Sequence, residues 1–381
     1  MRIAVFIYSL GGGGAERVVS QLVPYLESMG MDVFLVLMNV DCVFPLITKT
    51  PPYYLEKSKP NETSIIKFLK IPFLAYKYHI FLKKNGINVS LSFLTRPSLI
   101  SSMSIFFNSN RKIIISERSN PSRQYGYGDL KSVINSFLIK KLFSKTELII
   151  TNSKGNALDL IENFSISKKI VKTIYNPINI EEIDKIKPVE GFFDTSYYNL
   201  VTVGRLDKGK NHILLIKSIF KLVNKNVRLY IFGEGPMYKH LLELISKYNL
   251  EENIFLMGFD SNPFPYLKAA DLFVFGSNHE GFPNVLLEAM ACNLPIISTN
   301  CPSGPNEIFE EDINYSTTEN IITKYGILVP LNDENCMVAA INYMMQNENY
   351  YYNCKSSIST RINDFNKNVI LEKYYDLLLK I

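Results

Sequence analysis

The chain has 381 residues, room for two or three domains, and its 47% hydrophobic and 20% charged content excludes a disordered polypeptide. Five scattered cysteines without a C-x-x-C pair, and four histidines without paired ligand spacing, argue against a disulfide framework and a structural zinc site, with a reducing cytoplasm as the default. The net charge of +5 divides unevenly: residues 1–185 carry 24 Lys/Arg against 14 Asp/Glu, and residues 186–381 carry 17 against 22, so the first half is expected to face something anionic.

The N-terminus, MRIAVFIYSLGGGGAER, reads as a strand over Ile3–Ser9 running into the glycine loop Gly11–Gly14 and a helix from Ala15 to about Met29, rather than as a signal peptide. Short apolar runs follow at Val33–Met38, Val89–Phe93, Lys112–Ser116, Leu148–Thr151 and Ile170–Tyr175, each separated by a helix-length spacer. A second series starts at Leu200–Val203 with Gly204 behind it, then a helix from about His212, then runs at Val227–Phe232, Ile254–Met257, Leu272–Phe275, Pro295–Thr299 and Gly326–Val329. Such runs are too short for helices and predict βαβ units around parallel sheets covered on both faces. No run reaches the ~20 apolar residues of a membrane-spanning helix.

The fold class expected is therefore α/β, with two doubly wound Rossmann-like domains: residues 1–180, residues 181–367, and a C-terminal helix over 368–381 that has the first domain as one place to return to. The boundary is set by Tyr175-Asn-Pro-Ile-Asn179, where a strand ends at a proline and a charged segment follows. Open parallel sheets bind ligands beyond the carboxyl ends of their strands, and two facing domains would create a cleft there.

Three segments lie at those edges. Gly11–Gly14 suits an anion at a helix N-terminus and equally suits a structural tight turn. In Val203-Gly-Arg-Leu-Asp-Lys-Gly-Lys-Asn-His212, Arg205 and Lys210 flank a strand-to-helix loop, an arginine fork and a lysine point charge fit for a diphosphate. In Glu280-Gly-Phe-Pro-Asn-Val-Leu-Leu-Glu288, Pro283 starts a helix, and backbone N–H groups from Gly281 to Val285 sit at its positive end. Two carboxylates, Glu280 and Glu288, are placed to reach different parts of a ligand. Taken alone, a solvated basic loop and a capped surface helix describe the last two segments as well.

Taken together, in this order and spacing, these segments resemble the retaining glycosyltransferases of family 4, which have the GT-B fold. Ser116-Glu-Arg-Ser-Asn-Pro121, Gly233-Glu-Gly-Pro236, Leu256-Met-Gly-Phe259 and Cys301-Pro-Ser-Gly-Pro-Asn-Glu307 extend the resemblance over essentially the whole chain. It implies that Arg205 and Lys210 grip the diphosphate of a nucleotide sugar, expected to be UDP-linked, and that Glu288 holds the ribose hydroxyls. Glu280, with Gly281, Phe282, Pro283, Asn284 and Val285, would position the donor sugar; Gly13 and Gly14 would approach the diphosphate from the other domain. Gly233 and Phe259 lie where the base is received. Catalytic roles then fall to Arg205, Lys210 and Glu280, with no cofactor and no metal. Where many relatives carry a histidine, this chain has Arg118, which cannot act as a base at neutral pH and is expected to contact phosphate instead.

Segment Ile65–Lys84 is a basic amphipathic candidate, with Lys67, Lys70, Lys77 and Lys84 on one stripe and Pro72 either kinking the helix or displacing its start. A surface for anionic lipid or a polyprenyl-diphosphate saccharide acceptor and an outer helix with solvated lysines both fit, and the basic first half favours the lipid. The expected enzyme transfers a hexose or N-acetylhexosamine with retention, at the cytoplasmic face of a membrane, in surface-glycan assembly, with no nucleic acid partner. The alternatives are a nucleotide-sugar epimerase of the same fold and a lipid- or anion-binding protein. A glycoside hydrolase has no need of the diphosphate cations, and the glycine loop fits a dinucleotide fingerprint poorly.

Overall fold

The computed structural model describes residues 1–43, 48–56, 62–125, 130–222, 226–310 and 317–381. The chain divides into two units: residues 1–177 together with 368–381, and residues 178–367.

Unit 1 is built on seven strands, β1 (Arg2–Ile7), β2 (Asp32–Leu37), β3 (Tyr53–Tyr54), β4 (Val89–Phe93), β5 (Lys112–Glu117), β6 (Leu148–Thr151) and β7 (Val171–Thr173). They form one parallel sheet in the order β3-β2-β1-β4-β5-β6-β7. Because strand side chains alternate, β1 sends Ile3, Val5 and Ile7 into one core and Ala4 and Phe6 into the other. The first core is covered by helix Gly14–Ser28, whose Val18, Val19, Leu22, Val23 and Leu26 recur at helical spacing and are buried. It is completed from the far end of the chain: helix Lys367–Leu379 lays Ile370, Leu371, Tyr374 and Leu378 into the same cluster.

Unit 2 holds β8 (Tyr198–Val203), β9 (Val227–Phe232), β10 (Ile254–Gly258), β11 (Leu272–Phe275), β12 (Ile296–Thr299), β13 (Ile321–Ile322) and β14 (Ile327–Val329). Their order is β10-β9-β8-β11-β12-β14-β13, parallel except for the antiparallel β13–β14 pair at the edge. In both sheets the first strand lies inside, with neighbours added on either side of it, so each has a point where the winding reverses, next to β1 in one and β8 in the other.

The segment read as one basic helix is two. Helix Ser64–Leu69 ends at Lys70, and helix Ile71–Lys84 begins there with Pro72 in its first turn, so the proline displaces a helix start and breaks no turn. Thr63 caps the first of the pair by accepting the Ile66 N–H. No helix among the described residues is long and apolar enough to cross a membrane.

Candidate functional site

The carboxyl edge of the unit 2 sheet is drawn together at glycines. The Gly204 N–H donates to Phe232 O (2.9 Å), and the Gly233 N–H to Gly258 O (2.7 Å), so the ends of β8, β9 and β10 are stitched in a row. Gly233 sits at φ +146°, and a Cβ there would stand 2.0 Å from Gly204 O. No side chain fits that approach, which is why the turn after β9 needs glycine. Phe259, next after the stitched Gly258, leaves its ring exposed beside this turn.

The loop after β8 is shaped by Asp207, a residue the sequence reading passed over. Its Oδ1 accepts the Gly209 and Lys210 N–H groups (2.9 and 3.0 Å), and its Oδ2 accepts Arg205 Nε (3.1 Å). Burial alone would raise the Asp207 carboxyl, but these bonds, led by the one from Lys210, outweigh it and hold the group below the usual range. The loop is thus set by an ionised carboxylate, with the Arg205 side chain held at its root and still 76% exposed.

Lys210 turns the other way. Its Nζ meets Glu280 Oε1 at 2.6 Å, with the lysine 24% and the glutamate 13% exposed. The Ser277 hydroxyl donates to the same oxygen (2.8 Å), and the Phe275 ring lies 5.4 Å from the ammonium. The strand ends of β8 and β11 therefore bring two expected site residues into one ion pair. Further bonds fasten the two loops: the Asn278 N–H donates to Gly209 O (2.8 Å), and Asn211 Nδ2 to Asn278 Oδ1 (3.2 Å) and Asn332 Oδ1 (3.0 Å). Asn211 adopts φ 49°, a left-handed conformation that asparagine tolerates. His212 then opens helix His212–Lys221, buried, with no partner on Nδ1 among the described residues; burial, and after it the Lys210 charge, pushes its imidazole down to about 4.

Beyond Glu280, Gly281 leads into Phe282 and Pro283, and helix Asn284–Ala291 follows with Val285 in its first turn and buried Glu288 in its second. Phe282 does not face outward: it is buried, 5.9 Å from the Phe365 ring. Gly304, at φ +104°, lies so close beneath that a Cβ would stand 2.3 Å from Pro283 Cδ. The 281–284 segment is thus backed by Phe365 and Gly304.

In unit 1, Gly13 precedes and Gly14 begins helix Gly14–Ser28, after Gly12 at φ +104°. Two expected anion contacts already have partners within unit 1. The Arg118 guanidinium is buried, donating to Tyr374 Oη (2.9 Å) and Asn176 Oδ1 (2.8 Å), with Phe93 5.8 Å away. Two of the four stripe lysines are engaged within unit 1, while Lys84 is exposed. Lys70 Nζ pairs with Glu56 (2.9 Å) and Glu62, and Lys77 Nζ donates to Leu55 O. Arg96 Nη2 joins the network at Glu56 (3.0 Å) and at Lys67 O (3.1 Å). These helices also expose apolar side chains, Ile65, Leu69, Phe73, Tyr76 and Ile80, with Phe73 68% exposed, alongside exposed Lys83 and Lys84 at the end of the second helix.

Comparison with known proteins covers the chain in two parts. Residues 12–182 match Glycosyltransferase Family 4, and residues 182–360 match Glycosyl transferases group 1. The chain is 40% identical, over 96% of both sequences, to the N-acetylgalactosamine-N,N'-diacetylbacillosaminyl-diphospho-undecaprenol 4-alpha-N-acetylgalactosaminyltransferase of Campylobacter jejuni. The amylovoran biosynthesis glycosyltransferase AmsD of Erwinia amylovora is 25% identical over 96% of both. Among solved structures, HepE of Anabaena in complex with UDP superposes over 100% of both chains with a TM-score of 0.76 at 17% identity.

Proposed function

The chain belongs to the family-4 glycosyltransferases and has their GT-B fold, and from that premise we propose that it transfers a hexose or N-acetylhexosamine from a UDP-sugar, with retention, to a hydroxyl of a polyprenyl-diphosphate-linked saccharide. The observation that carries the donor half of this reading is the pairing of Lys210 with Glu280 beside an exposed Arg205, all at strand ends of one sheet. The acceptor half leans on the undecaprenol-linked substrate named for the Campylobacter relative.

In this reading Arg205 and Lys210 bind the donor diphosphate and stabilise the negative charge that grows on it as the anomeric C–O bond breaks. The departing phosphate oxygen takes the proton from the acceptor hydroxyl, which bonds to the anomeric carbon on the face the leaving group quits. Glu280 holds Lys210 in place, and the 281–285 backbone orients the sugar. Glu288 receives the ribose hydroxyls, Gly233 and Phe259 receive the base, and Gly13 and Gly14 offer a glycine turn to the diphosphate. Two chain cations can neutralise that diphosphate, so turnover is expected to persist with EDTA. The exposed apolar side chains of helices Ser64–Leu69 and Ile71–Lys84 support docking on the cytoplasmic face of a membrane, where a lipid-linked acceptor would lie.

The test is nucleotide release from a panel of UDP- and GDP-sugars, with and without polyprenyl-diphosphate saccharides, in EDTA throughout. Release that requires the lipid-linked acceptor is the expected result. Interconversion of the donor sugar without an acceptor would replace transfer with epimerisation.

A further inference from the structure

Unit 2 carries, behind the 281–285 backbone, an arginine that no step of the donor chemistry uses. Arg361 is the last residue of helix Glu348–Arg361, and its side chain is 10% exposed. Its Nε donates to Ile308 O (3.0 Å) and its Nη2 to Glu307 O (2.8 Å), the last two carbonyls of the one-turn helix Pro305–Ile308. Carbonyls at a helix end need donors from outside the helix, and an arginine can supply them. Its Nη1 donates to Glu310 Oε1 (3.0 Å) and Asp364 Oδ2 (2.7 Å). The guanidinium also lies 4.8 Å from the centre of the Phe365 ring and 5.8 Å from that of Tyr325. One planar fork thus engages two carbonyls and two carboxylates through all three of its nitrogens. Glu310 is held in turn: its Oε2 accepts the Tyr325 hydroxyl (2.6 Å) and pairs with Lys324 (3.2 Å).

Two routes lead from Arg361 to the segment assigned above to the donor sugar. The first runs through the turn that it caps. The Ile308 N–H donates to Gly304 O (2.8 Å) and the Phe309 N–H to Pro305 O (3.0 Å), which ties the capped end of the turn to its start. At that start a Cβ on Gly304 would stand 2.3 Å from Pro283 Cδ and 3.2 Å from Phe282 Cα, so the turn lies directly against the segment. The second route is Phe365, which has the guanidinium on one side and the Phe282 ring 5.9 Å away. Both routes end at Phe282 and Pro283, the residues that lead from Gly281 into helix Asn284–Ala291. Arg205 and Lys210 stand on a different loop and are paired there with Asp207 and Glu280.

We propose that Arg361 is a positioning residue for the donor sugar: by holding the Glu307 and Ile308 carbonyls and covering Phe365, it fixes the surface on which Phe282 and Pro283 are seated, and with it the place where the 281–285 backbone meets the sugar. This rests on the transferase reading above and adds to it the side chain that sets the sugar-facing backbone. The planar fork matters here more than the charge. A lysine would keep an ion pair with Glu310 or Asp364, but one ammonium cannot serve two carbonyls and two carboxylates in the directions that the fork reaches. Loss of the fork therefore shifts the sugar-facing backbone while leaving the two diphosphate cations on their own partners.

The experiment compares the full parent chain with Arg361→Ala, Arg361→Lys and Asp364→Asn. Hydrogen exchange is measured without ligand, and calorimetry gives the affinity for UDP and for the tightest-binding of UDP-galactose, UDP-N-acetylglucosamine and UDP-N-acetylgalactosamine. Arg361→Ala and Arg361→Lys are each expected to raise exchange about tenfold in peptides covering 281–285 and 304–310, with peptides of 198–211 unchanged. In both, affinity for the UDP-sugar relative to UDP is expected to fall about tenfold, a ratio that general destabilisation would not move. Asp364→Asn, which keeps the fork on both carbonyls, is expected to stay within about twofold of the parent in both readings. Thermal midpoints are read in parallel, and Arg361→Lys, which keeps bulk and charge, decides the matter if Arg361→Ala does not fold. Exchange at 281–285 equal to the parent's, or raised equally throughout unit 2, overturns the proposal, as does an unchanged ratio of the two affinities. If the parent releases nucleotide only with acceptor and the Arg361 variants match it in both readings, the positioning role alone falls. If the parent binds no UDP-sugar, the donor assignment and the sugar role fall together, while raised exchange would still place the segment under the control of Arg361.

Discussion

Lys210 and Glu280 are oppositely charged, mostly buried and 2.6 Å apart, so removing either leaves the other uncompensated. Arg205 differs, since its guanidinium is largely in solvent and, among the described residues, is paired with Asp207. The two cations should therefore fail differently. Arg205→Ala is expected to lower turnover about 10²-fold by loss of leaving-group stabilisation, and Lys210→Ala by at least as much, because bare Glu280 would also repel the donor diphosphate. Lys210→Ala combined with Glu280→Gln should then be less damaging than the two single effects multiplied. Steady-state rates at saturating donor check this, and multiplicative losses would detach Glu280 from Lys210. His212 gives a second residue-scale prediction. Its imidazole titrates near 4 in the fold against 6.5 when unfolded, so the unfolded chain takes up the proton first as pH falls. Stability attributable to this residue is full above pH 6.5 and is lost on acidification towards 4, about 2 kcal/mol of it between pH 7 and 5. Denaturant midpoints of His212→Gln should fall less over that interval than those of the parent; parallel curves would contradict the assignment.

At the scale of elements, what could be read from sequence was what repeats locally. The runs Val89–Phe93, Leu148–Thr151, Val227–Phe232 and Leu272–Phe275 are strands with the expected bounds, because a continuous apolar run between helix-length spacers has few other folds. The two-residue edge strands Tyr53–Tyr54 and Ile321–Ile322 were missed, being too short for any period to show. Placement of Arg205, Lys210 and Glu280 at strand ends was legible for the same local reason, but their pairing was not. Arg118 shows the limit most plainly: its partner Tyr374 lies 256 residues away. Helices Ser64–Leu69 and Ile71–Lys84 show another. A helical wheel gives the spacing of lysines and says nothing of carboxylates, such as Glu56, that arrive from a neighbouring loop. With Lys70 and Lys77 engaged, membrane affinity should rest on Leu69 and Phe73, each of which contributes about 1.5–3 kcal/mol when buried. Leu69→Glu with Phe73→Glu is expected to abolish flotation with phosphatidylglycerol vesicles, and Lys77→Ala to leave it nearly unchanged. The reverse pattern would restore a mainly electrostatic surface.

For the molecule as a whole, the division into units is uneven in one respect: residues 178–367 are continuous, whereas unit 1 needs both ends of the chain. Four side chains of helix Lys367–Leu379 belong to the core that β1 and helix Gly14–Ser28 build. Ending the chain at residue 366 should therefore open a buried face of unit 1 and lower the thermal midpoint of that unit, with exposed apolar surface reported by a hydrophobic dye. Unit 2 should unfold as before. A single unchanged transition would show that the helix is dispensable.

That arrangement also sets an order of events during synthesis. At about 5–20 residues per second, some 10–40 s pass between the emergence of residue 177 and that of residue 368. Through that interval unit 2 is itself still emerging, while the slot meant for Ile370, Tyr374 and Leu378 stays open and Arg118 lacks its phenol partner. The part of the chain made first is thus the part finished last, and its unfilled apolar slot is where a chaperone would be expected to bind.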